Sequence, residues 1–320
     1  DPMDGDGHGT HVGGTIAAAT NNGELVAGVA WHASLVGLKF LSDDGWGNTA
    51  DAIDAVAYCA AMNFPISNNS WGGGGYSQAL KDVIAETAAQ GHLFCAAAGN
   101  SSSNNDEAPH YPSNYDLPSI ISVAASDSSD ELAWFSCYGA QTVDMAAPGA
   151  GILSLIPGGG TATYSGTSMA TPHVAGAAAL VLSINPEFGH QEIKNVLMNS
   201  IDHIPAFEGK MVAAGRLNLA KAMEASSPSW LSISPDSGTV PAGAQSSLTF
   251  TADATNFNAG TKNAVAVFET NDPLADVIEV PVTLTITGEP TIVVNPTEVD
   301  FGSLWVGNLA TREIEVINVG

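Results

Sequence analysis

Ser165-Gly166-Thr167-Ser168-Met169-Ala170-Thr171-Pro172-His173-Val174-Ala175-Gly176 is the stretch on which the reading of the fold turns. A small, flexible turn leads into an apolar run that continues to Asn185 and stops at Pro186. The pattern predicts a long buried helix over 168–185 that opens at Ser168. A hydroxyl at a helix N-terminus sits at the positive end of the macrodipole, which stabilises negative charge developing nearby. A lone serine in that place more often does no more than cap the helix. The G-x-S-x-G elbow of α/β-hydrolases is absent, which counts against that class.

Working outward from this helix, apolar strands alternate with alanine-rich helices. Strands are predicted at Leu35–Phe40, Ile66–Trp71, His92–Ala98, Ile120–Ala125 and Thr142–Ala147, with helices at 48–61 (Thr49 as N-cap), 77–90, 187–200 and 217–224. Strands separated by helices imply a parallel sheet covered on both faces, hence an α/β domain. From about Ser226 the pattern changes. Segments such as Ser246–Thr251, Ala264–Phe268 and Val280–Ile286 alternate with period two, and turn-formers punctuate them. They predict an all-β sandwich over 226–289. Ile292-Val293-Val294-Asn295-Pro296 is similar to Leu231-Ser232-Ile233-Ser234-Pro235, so 290–320 reads as the start of a second, truncated sandwich module.

The chain of 320 residues has 8 Lys+Arg against 33 Asp+Glu, a formal net charge of −25. That balance excludes nucleic acid and anionic membrane surfaces as partners, since both need basic patches. With 45% apolar residues the chain has material for a core, so disorder is excluded too. Cys59, Cys95 and Cys137 are too few for a disulfide framework and read as small core residues. No run of 18 apolar residues marks a membrane span.

Three further motifs bear on chemistry. In Asp4-Gly5-Asp6-Gly7-His8-Gly9-Thr10-His11, a histidine between glycines precedes an apolar helix, which suits a general base on a rigid element. A metal reading of His8 and His11 lacks a glutamate to complete it. Asn100 follows Gly99 at the end of a predicted strand, where ligands bind in open α/β sheets, and its amide is a candidate oxyanion donor. Ser70-Trp71-Gly72 runs into Gly73-Gly74-Gly75, an edge along which an extended peptide can pair. The competing structural readings are, in turn, an ordinary capping histidine, a turn-forming Gly-Asn pair and a flexible connection.

Taken together and in this order, the blocks His8-Gly9-Thr10-His11, Ala98-Gly99-Asn100 and Gly166–Gly176 resemble the subtilisin-like serine proteases (subtilases, peptidase family S8) over residues 1–225. The resemblance implies a three-layer subtilisin-like fold with a parallel sheet. It implies Ser168 as nucleophile, His8 as general base, His11 as a buried structural residue and Asn100 as the oxyanion donor. Ser70, Trp71, Gly72, Ala98 and Gly99 match the segments that flank the primary specificity pocket; these residues are small, so bulky apolar or broad specificity is expected. The substrates are proteins or peptides, and no cofactor is required for the chemistry. The family's orienting Asp stands in an Asp-Thr/Ser-Gly context thirty or more residues before the His block, and Asp1, Asp4 and Asp6 lie in the wrong context. That Asp and the N-terminal strand bearing it are therefore expected outside this chain, and the chain by itself is expected to fold poorly and be inactive. The resemblance also implies an extracellular, secreted bacterial enzyme, monomeric, made with an inhibitory propeptide. Structural calcium is an expectation for the loops at 21–24, 43–44 and 127–131. The β modules are similar to the immunoglobulin-like repeats appended to secreted enzymes, with Trp230, Phe268 and Trp305 read as core rather than ligand platforms. The rival reading is a non-catalytic adhesion or binding protein with a degenerate protease domain.

Overall fold

Two inner strands of the main sheet, Leu93–Ala97 and Ile120–Ser126, are buried on both faces, because helices cover both. A computed structural model describes residues 3–226, 230–241, 244–254, 260–272, 276–287, 292–295 and 315–318. The chain divides into two units, Asp1–Ser227 and Pro228–Gly320. In the first, the elements run α1 (His8–Ala17), α2 (Thr49–Ala61), β1 (Ile66–Asn69), α3 (Gln78–Ala88), β2 (Leu93–Ala97), β3 (Ile120–Ser126), β4 (Met145–Pro148), β5 (Ile152–Leu155), β6 (Thr161–Tyr164), α4 (Thr167–Ile184), α5 (His190–Asn199), β7 (Ile201–His203), β8 (Gly215–Leu217) and α6 (Leu219–Ser226). Six strands form one sheet in the order β1-β2-β3-β4-β8-β7, parallel except for the β7–β8 pair.

Period two along the strands sends alternate side chains into two cores. Leu93, Cys95, Ile121, Val123 and Ala125 join Met169, Val174, Val181, Ile193 and Leu197 on the face covered by α1, α4, α5 and α6. Phe94, Ala96 and Ile120 join Val56, Leu80, Val83 and Ile84 on the other face, under α2 and α3. The result is the expected three-layer α/β fold. By length and hydropathy alone α4 resembles a membrane span, but its apolar residues are spent on this core.

Several local expectations change. Asn48, not Thr49, caps α2: its side chain accepts from Asp51 N at 2.9 Å. Asparagine is the better cap because its short carbonyl reaches the third residue of the helix. The hairpin β5–β6 and the short strands β7 and β8 were not foreseen, because three- and four-residue strands leave no measurable periodicity. The expected strand at Leu35–Phe40 does not form. This segment has no ladder partner among the described residues, and Leu35 and Val36 stay about half exposed. Apolar alternation alone cannot make a strand without a neighbour to take its backbone bonds. A cavity of about 1080 Å³ is lined by Gly37–Ser42 and by Asn68 and Ser70 at the end of β1.

In the second unit the described strands are antiparallel pairs: β9 (Leu231–Ser234) with β10 (Thr249–Ala252), β11 (Gly260–Glu269) with β12 (Val277–Ile286), and β13 (Ile292–Asn295) with β14 (Glu315–Asn318). Trp230 is buried, and Phe268 meets Phe250 edge-on at 6.4 Å. Trp305 lies outside the described residues.

Gly176 marks the tightest approach to α4. A Cβ there would stand 2.7 Å from Val29 Cβ. Gly176→Ala is expected to destabilise the unit by about 1–3 kcal/mol, the usual cost of overpacking. Urea denaturation of the variant checks this; unchanged stability would contradict the packing.

Candidate active site

Four element ends converge at the carboxyl edge of the sheet: the start of α1, the ends of β1 and β2, and the start of α4. Pro172 begins the construction. It has no N–H to give to the carbonyl of Ser168, four residues back. Ser70 Oγ donates to that carbonyl instead, at 2.8 Å, and Ser168 Oγ donates in return to Ser70 O at 3.3 Å. The pair fastens the chain leaving β1 to the first turn of α4.

Asn100 is held by the residue before the serine. Its Oδ1 accepts from Thr167 N at 2.8 Å and Thr167 Oγ1 at 3.0 Å. The backbone N–H can only donate, so that atom must be the oxygen, and Nδ2 is the group left to donate outward. Nδ2 lies on the Gly166 side, 3.5 Å from where a Cβ on Gly166 would stand. Thr167 Oγ1 also accepts from Gly99 N at 3.1 Å, so one hydroxyl ties α4 to the end of β2. Thr167 was not singled out from the sequence, where it reads as one more small turn residue.

His8 is the first residue of α1, after Gly7 at φ +97°. It lines the cavity together with Asp4, Asp6 and Ser70. Its ring makes no hydrogen bond among the described residues, and Ser168 Oγ is directed to Ser70 O rather than to His8. Burial pushes the His8 pKa down, and outweighs Asp6 and Asp4, which push it up. Asp4 is no idle loop acid. Its Oδ1 accepts from Gly7 N at 2.8 Å, and its Oδ2 accepts from Thr10 N and Thr10 Oγ1 at 2.7 and 2.6 Å. Burial raises the Asp4 pKa, but these bonds outweigh it and hold the carboxyl below its ordinary value. Asp6 accepts from His8 N at 3.1 Å. His11 is fully buried, with Nε2 at 3.1 Å from the carbonyls of Ile152 and Ala162 and its ring stacked on Tyr164, which ties α1 to the β5–β6 hairpin.

The two expected pocket segments differ in what they offer. Ala98 and Gly99 spend their backbone groups inward: Ala98 N donates to Val123 O, Ala98 O accepts from Asn105 Nδ2, and Gly99 O accepts from Cys137 N. Trp71 turns its ring to Phe40 and Phe94 and lines the cavity together with Gly72–Gly75. All three cysteines are free and buried, and burial pushes the Cys95 thiol up to about 12, so none is a nucleophile. Among the described residues no three of His, Cys, Asp and Glu converge, Asp127 Oδ1 is taken by Ser129 N and Glu131 N, and Asp43 is paired with Lys39.

The edge of this parallel α/β sheet carries an oriented amide and a helix-opening serine, and a histidine lines the cavity beside it, residue types used in nucleophilic hydrolysis. The model of the subtilase family, Peptidase S8, matches residues 1–233, and the chain belongs to that family. It is 43% identical over 203 residues to Subtilisin NAT of Bacillus subtilis subsp. natto, covering 63% of this chain and 52% of that protein. It is 37% identical over 223 residues to Thermitase of Thermoactinomyces vulgaris, covering 70% and 77%. Among solved structures, a protease from Pseudoalteromonas arctica PAMC 21717 superposes with a TM-score of 0.63 at 33% identity, covering 69% of this chain and 71% of that one. The chain thus spans about half the length of Subtilisin NAT.

With burial as the dominant influence, His8 in this chain is expected to titrate below the ordinary histidine value of 6.5. It stays neutral, and able to accept a proton, to lower pH than a free histidine. An NMR titration of the ring checks this; a midpoint above 6.5 would mean that a carboxylate faces it. Thr167→Val, which keeps shape and the backbone N–H but removes the hydroxyl, is expected to leave Asn100 Oδ1 only its bond from the residue 167 N–H and to free the Gly99 N–H. Loss of slow hydrogen exchange at Gly99 is the readout.

Proposed function

We propose that the protein is a serine endopeptidase that hydrolyses peptide bonds through an acyl-enzyme. Ser168 attacks the peptide carbonyl while His8 takes its proton. The Asn100 amide and the Ser168 backbone N–H hold the oxyanion, His8 returns the proton to the leaving amine, and water releases the acyl group. The observation that carries this reading is the Thr167 clamp on Asn100, which leaves Nδ2 as a donor beside the first turn of α4. The kinship with subtilisins supports it.

The orienting carboxylate comes, in this reading, from a segment outside residues 1–320. In support, both oxygens of Asp4 are engaged by its own turn and helix, and the His8 ring faces a cavity beside the end of β1. Without that group turnover falls by about 10⁴ even where geometry survives. The acidic surface and the antiparallel ladders of the second unit are in keeping with an exported protein carrying immunoglobulin-like modules, with protein or peptide substrates as its partners.

The test is casein hydrolysis by the full-length gene product. Ser168→Ala is expected to abolish it, and Asn100→Ala to lower kcat by about 10²–10³ with KM little changed. Cleavage that persists in Ser168→Ala overturns the proposal.

A further inference from the structure

Each segment that bounds the expected specificity pocket has a glycine packed against one residue, His110, that stands in no motif of the sequence. A Cβ on Gly72 would stand 2.3 Å from His110 Cε1 and 2.9 Å from Nε2. A Cβ on Gly99 would stand 2.8 Å from His110 Cδ2 and 3.1 Å from Cγ. The imidazole is therefore packed between the two segments, touching the backbone of both. The large cavity beside His8 is lined by Gly72–Gly75 and Tyr111 but by neither Gly99 nor His110, so it does not open between them.

The ring is held from behind. His110 N donates to Asn114 Oδ1 at 3.1 Å, Asn114 N and Ser113 Oγ donate to His110 O at 2.9 and 2.8 Å, and Ser113 Oγ lies 3.4 Å from His110 Nδ1. Asn114 Nδ2 donates in turn to Asn105 O, and Asn105 Nδ2 to Ala98 O, which returns the network to the pocket segment itself. On the other side Gly73 N donates to Tyr111 O at 3.1 Å. These bonds fix the backbone that carries the ring, and the ring itself meets Ser113 Oγ through Nδ1. Burial pushes the His110 pKa down, so at neutral pH the ring is uncharged and offers no attraction to an acidic side chain.

We propose that His110 is the specificity-determining residue of this protein: its ring fills the space between Gly72 and Gly99 that a bulky substrate side chain would take. It thereby restricts cleavage to bonds that follow a small residue such as alanine or serine. This rests on the serine-endopeptidase reading above, and it replaces the bulky apolar or broad preference expected from the two segments alone.

The test compares wild-type and His110→Gly full-length protein on peptides differing only in alanine or phenylalanine before the scissile bond, with Ser168→Ala as the blank. The wild type is expected to favour alanine. The variant is expected to raise the phenylalanine-to-alanine ratio of kcat/KM at least about tenfold, the scale on which one or two methylenes discriminate in an apolar pocket. A wild type that prefers phenylalanine, or a ratio unmoved in a variant with normal melting, overturns the proposal. Absence of any Ser168-dependent cleavage would instead count against the endopeptidase reading. A second measurement then decides the question without turnover. Product peptides Ala-Ala-Pro-Ala and Ala-Ala-Pro-Phe, as free acids, are titrated into Ser168→Ala protein while the His110 Cε1–H resonance is followed. The alanine peptide is expected to shift it and to bind at least about tenfold more tightly. Equal or tighter binding of the phenylalanine peptide, or no binding of the alanine peptide, overturns the proposal.

Discussion

The reciprocal pair between Ser70 and Ser168 is the contact on which the site depends. A proline in the first turns of a helix leaves one carbonyl without an internal donor, and a buried carbonyl without a partner is costly. Here Pro172 exposes the carbonyl of Ser168, and the side chain that answers it, Ser70, comes from the chain leaving β1. The helix start is thus pinned to the edge of the sheet by a need of its own backbone. The hydroxyl of Ser168 is drawn into the same contact and lies against Ser70 O.

Thr167 performs the matching task one residue earlier. Its N–H and hydroxyl hold Asn100, and its hydroxyl also takes the N–H of Gly99. Two adjacent residues at the end of β2 are thus fixed by one residue of α4, and a helix N-terminus supplies the field in which they sit. α1 is set by a different device: Asp4 satisfies three donors at its first turn, and the buried ring of His11 joins it to the β5–β6 hairpin. Rigid attachment at each corner is what lets small polar groups meet at the sheet edge.

Much of this was legible in the chain. The alternation of alanine-rich helices and apolar strands is a strong periodic signal, and it predicted the layered α/β unit and nearly every helix in it. His8, Asn100 and Ser168 stood out because each sits beside glycine at an element boundary. Leu35–Phe40 shows where such reasoning stops: its alternation is that of a strand, but ladder bonds are a property of pairs, and it has no partner among the described residues. The β5–β6 hairpin escaped notice for want of length, and Asp4 because a cap six residues from its second donor is not a local pattern.

By itself the sequence determined which residues can be helix, which can be core, and which chemical groups are carried at element ends. Those are properties of spacing along the chain. Only the tertiary structure decided which of these groups meet. Nothing in Gly72, Gly99 and His110 marks them as neighbours, since 27 and 11 positions separate them along the chain. The fold packs one ring against both glycines, because burial and hydrogen bonds act on positions in space and not on order in sequence.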